Sequence, residues 1–245
     1  MCVSSADRDV AVRQGCTATI KRMPLPSEEL DLDALKSAAG QYSVDLSNAE
    51  IPELYGTTDG KAVGSYVEKS FNAYLAERFD FEPGNAAKGI DFPELGVDLK
   101  VTSITQPQSS SPFKNAEQKV YGLGYHLLVF VYKKSDDNSR TAAHLAIKHV
   151  VFIDAANTAD FQTTNGLCKI LDDTGNVDDL DAFIQERNLP LDDIGRRNLA
   201  ERLITERPLV GCLTISNAQQ WRLQYTRAIA QAEAGDSPGV ENLSG

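Results

Sequence analysis

Asp91, Asp98 and Lys100 stand together in the stretch IDFPELGVDLKVT, residues 90 to 102, with two carboxylates seven positions apart and an amine two residues after the second. A tight turn between the aspartates would bring them together. Beyond it, β alternation sends Asp98 and Lys100 to one face while Val97, Leu99 and Val101 take the other. Carboxylates in this arrangement suit Mg2+, a hard ion that takes one or two carboxylates, keeps several waters and accepts a substrate phosphate oxygen. The main-chain carbonyl of Leu99 would add a third protein oxygen. Lys100 would act on the attacking water and offset charge developing at phosphorus. The chemistry expected of the group is magnesium-assisted hydrolysis of a phosphodiester. A charged, solvated hairpin with no chemistry fits the same spacing, and on the residues alone both readings stay open, with the surroundings adding weight to the first.

Those surroundings begin with a helix. Val63, Val67, Phe71, Leu75 and Phe79 recur at helical spacing after the loop GTTDGKAVG (56–64), and Glu68 lies beside this apolar stripe. An earlier helix is expected from Ser27 as N-cap, through Leu30, Leu32 and Leu35, to a stop near Gly40. After the hairpin, QPQSSSPFKN (106–115) reads as a polar loop and residues 116–121 as a short helix. HLLVFVY (126–132) reads as a buried central strand, and residues 144–154 as a second strand with a bulge. Helices are expected near 157–172, 177–187, 191–206 and 217–233, with one more strand over 209–215. Helices around a short mixed sheet give an α/β, more fully α+β, architecture. At 245 residues the chain is expected to form one domain over 1–245, with an irregular arm over 1–26 and a frayed tail over 235–245.

Composition excludes several classes. The longest apolar run, Tyr125 to Tyr132, is too short to cross a bilayer, and the acidic N-terminus shows no apolar segment of a secretory signal behind it, so the protein is expected to stay in the cytoplasm. The four cysteines contain no CxxC pair and the three histidines stand apart from them, so neither a disulfide framework nor a zinc site is expected. A net charge of −11 argues at first against a polyanionic partner. Its distribution is kinder: residues 100–150 hold seven Lys or Arg against three acids, an excess of four that begins at Lys100. Within this segment Lys114, Lys119 and Ser110 are candidate DNA contacts, and Arg222 and Arg227 on the expected last helix are the reserve. Tyr121 and Tyr125 fit packing against the sheet better than a DNA-facing turn.

The phrase DFPELGVDLKVT resembles the active-site hairpin of the PD-(D/E)xK nuclease superfamily, in the branch that holds MutH and related type II restriction endonucleases. Upstream, GKAVGSYVEKSF (60–71) resembles that branch's Gly-Lys loop and its helix with a glutamate. Asp98 departs from the glutamate more usual there. The resemblance implies a restriction-endonuclease-like fold, Asp91 and Asp98 as Mg2+-binding acids, Lys100 as catalytic lysine, Glu68 as a further acid at the metal, and Lys119 near a second lysine position. It implies a Mg2+-dependent, sequence-specific endonuclease acting on double-stranded DNA and leaving 5′-phosphate ends, most simply a prokaryotic type II restriction enzyme. A cognate DNA methyltransferase would protect the same site, and the enzyme would act as a monomer or homodimer. A MutH-type strand-nicking repair enzyme and a non-catalytic DNA-binding module are the alternatives. Recognition sequence and cut positions are not legible in the chain.

Overall fold

The computed structural model describes residues 28–81, 84, 89–112, 114–216 and 221–244, so the arm read over 1–26 and the proposed cap Ser27 lie outside the described residues. A short parallel pair, β1 (Glu28–Glu29) with β2 (Phe79–Asp80), stands apart from the centre, a four-stranded mixed sheet built on β5 (His126–Asp137). On one side β3 (Val97–Ser103) runs parallel to β5, and on the other β6 (Ala142–Ile153) and then β9 (Val240–Asn242) add antiparallel. The bulge expected near 144–154 is present: Val131 faces His149 but Tyr132 faces Ile147, which leaves Lys148 over.

β5 is apolar without alternation because both of its faces are covered. Leu128, Phe130 and Tyr132 pack on α1 (Leu32–Asn48) and α2 (Gly60–Ala76), whereas Leu127, Val129 and Val131 pack under a second sheet with Trp221, Leu223 and Tyr225. That second sheet has the order β4 (Gln108–Ser111), β8 (Trp221–Gln224), β7 (Thr214–Ile215), all antiparallel, and α7 (Thr226–Ala234) borders it. A third cluster joins α3 (Gln118–Tyr121), α4 (Phe161–Asp172), α5 (Val177–Glu186) and α6 (Asp193–Thr205). The arrangement is the mixed α+β fold expected of a restriction-endonuclease-like protein. No helix among the described residues is long and apolar enough to cross a membrane.

Several local expectations are corrected. α1 starts at Leu32, where Asp31 accepts a 2.8 Å bond from the Ala34 amide, and it runs through Gly40 to Asn48. Gly40 is no stop signal; it makes room, since a Cβ there would lie 2.7 Å from the Leu243 carbonyl oxygen of the C-terminal segment. That segment is not frayed: β9 pairs with β6, and Val240 is buried. α2 begins at Gly60, capped by Asp59, so the expected loop loses its last residues to the helix. The polar stretch 108–111 is strand β4, whose pairing with β8 comes from more than a hundred residues away. The helix expected over 217–233 is β8 followed by α7, with residues 217–220 outside the described ones. Of the strand expected over 209–215, only Thr214–Ile215 joins a sheet.

Candidate active site

The two aspartates are brought together by a turn. Phe92 and Val97 exchange backbone bonds of 2.9 and 3.1 Å, the Gly96 amide donates to Pro93, and Gly96 takes φ +62°, a conformation that favours glycine. The Leu99 amide then donates to Asp91 Oδ2 at 2.7 Å, which fixes the first carboxylate beside the strand carrying the second. Among the described residues β3 is the outer strand of its sheet, and the Val97 and Leu99 amides point to its outer edge while the Gly96 carbonyl turns inward to His126. In an extended strand a residue's N–H and C=O point the same way, so the Leu99 carbonyl faces the outer edge where Asp91 sits.

Asp98 and Lys100 share the face of β3 that looks toward the second sheet, opposite Leu127 and Val129 in register. Asp98 is 5% exposed. Lys100 Nζ lies 2.6 Å from Asp98 Oδ2. Burial pushes the Asp98 carboxyl up to about 7; Lys100 opposes the rise, and a hydrogen bond to the Asp91 carboxyl adds to it. Two acidic side chains set this close, with Lys100 as their near cation, leave negative charge that a further cation would offset. Glu68 reaches the group from α2. Its carboxyl is raised, first by desolvation and then by Asp91, and lowered by Lys100, which puts it within electrostatic range of both.

Among the described residues no three His, Cys, Asp or Glu side chains are gathered closely enough to hold a metal by themselves. The donor set of Asp91, Asp98 and the Leu99 carbonyl is hard and oxygen-only, and its two crowded carboxyls call for positive charge. It suits an ion such as Mg2+ that fills the rest of its shell with water and substrate.

The other candidates separate. Ser110 is exposed on β4 and Lys114 is exposed with its ammonium 5.8 Å from the Tyr125 ring centre. Lys119 is corrected: it is 2% exposed, its ammonium donates to the Ile215 carbonyl at 3.0 Å, and desolvation lowers its pKa. Its backbone carbonyl accepts from the amide of buried Asp160, which caps α4 and also accepts from the Ile215 amide, so Lys119 ties three elements together and presents no charge to solvent. Arg227 lies over the Phe161 ring at 3.4 Å. Tyr125 is buried and paired with Ser111, and the Tyr121 hydroxyl donates to the Glu206 carbonyl, in keeping with packing roles.

Folding also assembles a cleft of about 870 Å3 that starts one residue past Lys100, at Val101, and is walled by Lys61 on α2, Lys133 on β5 and Arg222 on β8. Lys61 and Lys133 were not singled out as contacts from the sequence. Lys61 sits within the Gly-Lys stretch already noted, and Lys133 within the basic segment, so the available signals were position and charge.

Residues 29–242 match the model of the family described as type II restriction enzyme NspV. Over 211 residues the chain is 53% identical to the type II restriction enzyme NspV of Nostoc sp. (strain ATCC 29411 / PCC 7524), covering 86% of this chain and 95% of that protein. No solved structure matches. A match that spans the hairpin, the two larger sheets and the seven α-helices among the described residues bears out the restriction-endonuclease resemblance of the hairpin, and the chain belongs to the NspV family of type II restriction enzymes.

Proposed function

We propose that this restriction enzyme is a Mg2+-dependent, site-specific endonuclease that hydrolyses double-stranded DNA to 5′-phosphate and 3′-hydroxyl ends at the Asp91–Asp98–Lys100 hairpin. The observation that carries the reading is the contact between the buried Asp98 carboxyl, the Asp91 carboxyl and the Lys100 ammonium on the edge strand β3. Asp91, Asp98 and the Leu99 carbonyl would hold the ion, with Glu68 beside them. When bound, Mg2+ supplies Lewis-acid charge for the phosphate and makes nearby water more acidic.

The chain's own groups do the rest. Asp91 is pinned by the Leu99 amide and Asp98 by burial, so the carboxylates need little reorganisation on engaging substrate. Lys100 begins paired with Asp98. As negative charge builds on the phosphoryl oxygens, its ammonium is the nearest fixed positive group of the hairpin able to stabilise it. Glu68, exposed and raised in pKa, would accept a proton from the attacking water. The cationic cleft beside β3 is the surface on which the duplex would lie. Protection of host DNA by a methyltransferase of the same specificity and work in the cytoplasm, as monomer or homodimer, complete the proposal.

The test is digestion of supercoiled plasmid by purified protein with Mg2+ or with EDTA, followed by sequencing of the ends. Discrete linear products with 5′-phosphates, absent in EDTA and absent for Asp91→Asn, are expected. Equal cleavage in EDTA, or by Asp91→Asn, would remove the mechanism.

A further inference from the structure

Arg222 stands apart from the other arginines of the molecule. Every other described arginine holds a carboxylate, an amide or an aromatic ring, from Arg140 on Glu50 to Arg227 over Phe161. Arg222 is exposed and its guanidinium has no ion pair, side-chain hydrogen bond or ring contact among the described residues. An arginine left without a carboxylate in a chain with 35 acids is placed where acids are kept away. Among the described residues the cleft it lines carries one acid, Asp136, and that acid is held by Lys134. Its remaining charges, Lys61, Lys133 and Arg222, are all positive.

The three cations differ in their footing. Lys61 and Lys133 are flexible lysines on the walls, suited to phosphate as point charges. Arg222 projects from a locked strand. Its neighbours Trp221 and Leu223 are 1% and 0% exposed, and its backbone amide and carbonyl are bonded to Ser216 Oγ at 3.0 Å and Ser216 N at 3.1 Å. Directly across the ladder from Arg222 is Ser110, and one alternation further along the same face of β4 comes Gln108. The opposite face carries Ser109 and Ser111, anchored on Tyr225 and Tyr125 at 2.5 and 3.2 Å. Both tyrosines lie within electrostatic range of Asp98. At the other end, Thr102 Oγ1 on the catalytic strand accepts from the Gln108 amide at 2.9 Å. The ribbon of β4 and β8 is therefore fixed in register to the strand that carries Asp98 and Lys100.

A two-stranded β-ribbon fits the major groove, where an arginine pairs with O6 and N7 of guanine and a glutamine with N6 and N7 of adenine. We infer that the exposed face of the β4–β8 ribbon is the base-reading surface of the enzyme, with Arg222 as the principal specificity residue, reading a guanine, and Gln108 and Ser110 reading beside it. This rests on the endonuclease reading above. The link through Thr102 gives the ribbon a mechanical consequence, since the base pair under Arg222 sets which phosphate reaches Lys100.

The test is digestion of a randomised duplex library with Mg2+ and sequencing of the cut ends for the parent, Arg222→Ala, Gln108→Ala and Lys133→Ala. The parent is expected to cut one defined site. Arg222→Ala should lose about five- to a hundredfold of discrimination at a G·C pair of that site and keep its other preferences. Gln108→Ala should do the same at a different pair, whereas Lys133→Ala should slow cutting at all sequences without altering the pattern. If Arg222→Ala cuts too slowly to sequence, its binding in Ca2+ to the parent's site and to a scrambled duplex decides. A fall confined to the parent's site supports the inference. An equal fall on both duplexes, with a salt slope shallower by about 0.9, makes Arg222 a phosphate contact and overturns it. An unchanged cut pattern for Arg222→Ala also overturns it while leaving the endonuclease reading intact; a parent that cuts nothing removes both.

Discussion

Replacing Asp98 by asparagine should abolish cleavage and stabilise the metal-free protein above neutral pH. The carboxyl is 5% exposed and its pKa is moved from 3.8 to about 7, so between those values the folded protein holds a proton that the unfolded chain releases. Stability therefore falls as pH rises through this window, is fullest below about pH 4, and levels off above pH 7. A shift of about three units at 1.36 kcal/mol each sets a ceiling of about 4 kcal/mol. Loss of the Asp98–Lys100 ion pair in the variant brings the expected gain for Asp98→Asn to about 2–4 kcal/mol at pH 8. For a chain of this length that is roughly 4–16 °C in Tm. Thermal or urea unfolding in EDTA from pH 5 to 9 measures it: the parent should lose stability up to about pH 7 and then level off, and the variant should stay nearly flat. Mg2+ or Ca2+ at ten times its Kd should return about 1.4 kcal/mol to the parent and little to the variant. Parallel pH profiles for the two proteins would refute the buried-carboxyl argument, and cleavage by Asp98→Asn at the parent rate would refute its place in the site.

Lys100→Ala should lower the single-turnover cleavage rate by about 10²–10³-fold with duplex affinity and its salt slope nearly unchanged, as expected of a group that acts on the developing charge; a loss of affinity with the rate on bound DNA intact would make it a positioning contact. Lys119→Ala should destabilise the fold by about 1–3 kcal/mol, because the Ile215 carbonyl is left unpaired inside the protein, and should leave the salt slope as it was, measured by urea unfolding and by binding titration. A shallower slope with unchanged stability would return Lys119 to the DNA surface. Gly40→Ala should cost about 1–3 kcal/mol despite improving helix propensity, since its Cβ would meet the Leu243 carbonyl oxygen at 2.7 Å; hydrogen exchange should show the β9 amides losing protection first, and a stabilised variant would contradict the packing described for the C-terminal segment.

The sequence by itself determined the hairpin and what hangs on it. Phe92, Gly96 and Val97 make the turn from local geometry, and the alternation of Val97 to Thr102 puts Asp98 beside Lys100, because both depend only on neighbours in the chain. The heart of α2 and the run of β5 were legible for the same reason, the first by its 3.6-residue stripe and the second by an apolar stretch too continuous for a strand with a wet face. Tertiary structure decided the rest. Helix or loop at Gly40 depended on the C-terminal segment that packs there, and the supposed frayed tail became order through the pairing of β9 with β6. Four polar residues with weak strand propensity, Gln108 to Ser111, became β4 only because Trp221 to Gln224 lay alongside. Lys119 carries the same charge as Lys133 in the same basic segment, yet one is sealed beneath Ile215 and Trp221 and the other opens on the cleft. Spacing along a chain fixes which side chains share a face. Only the elements that cover that face decide whether they meet solvent, one another or DNA.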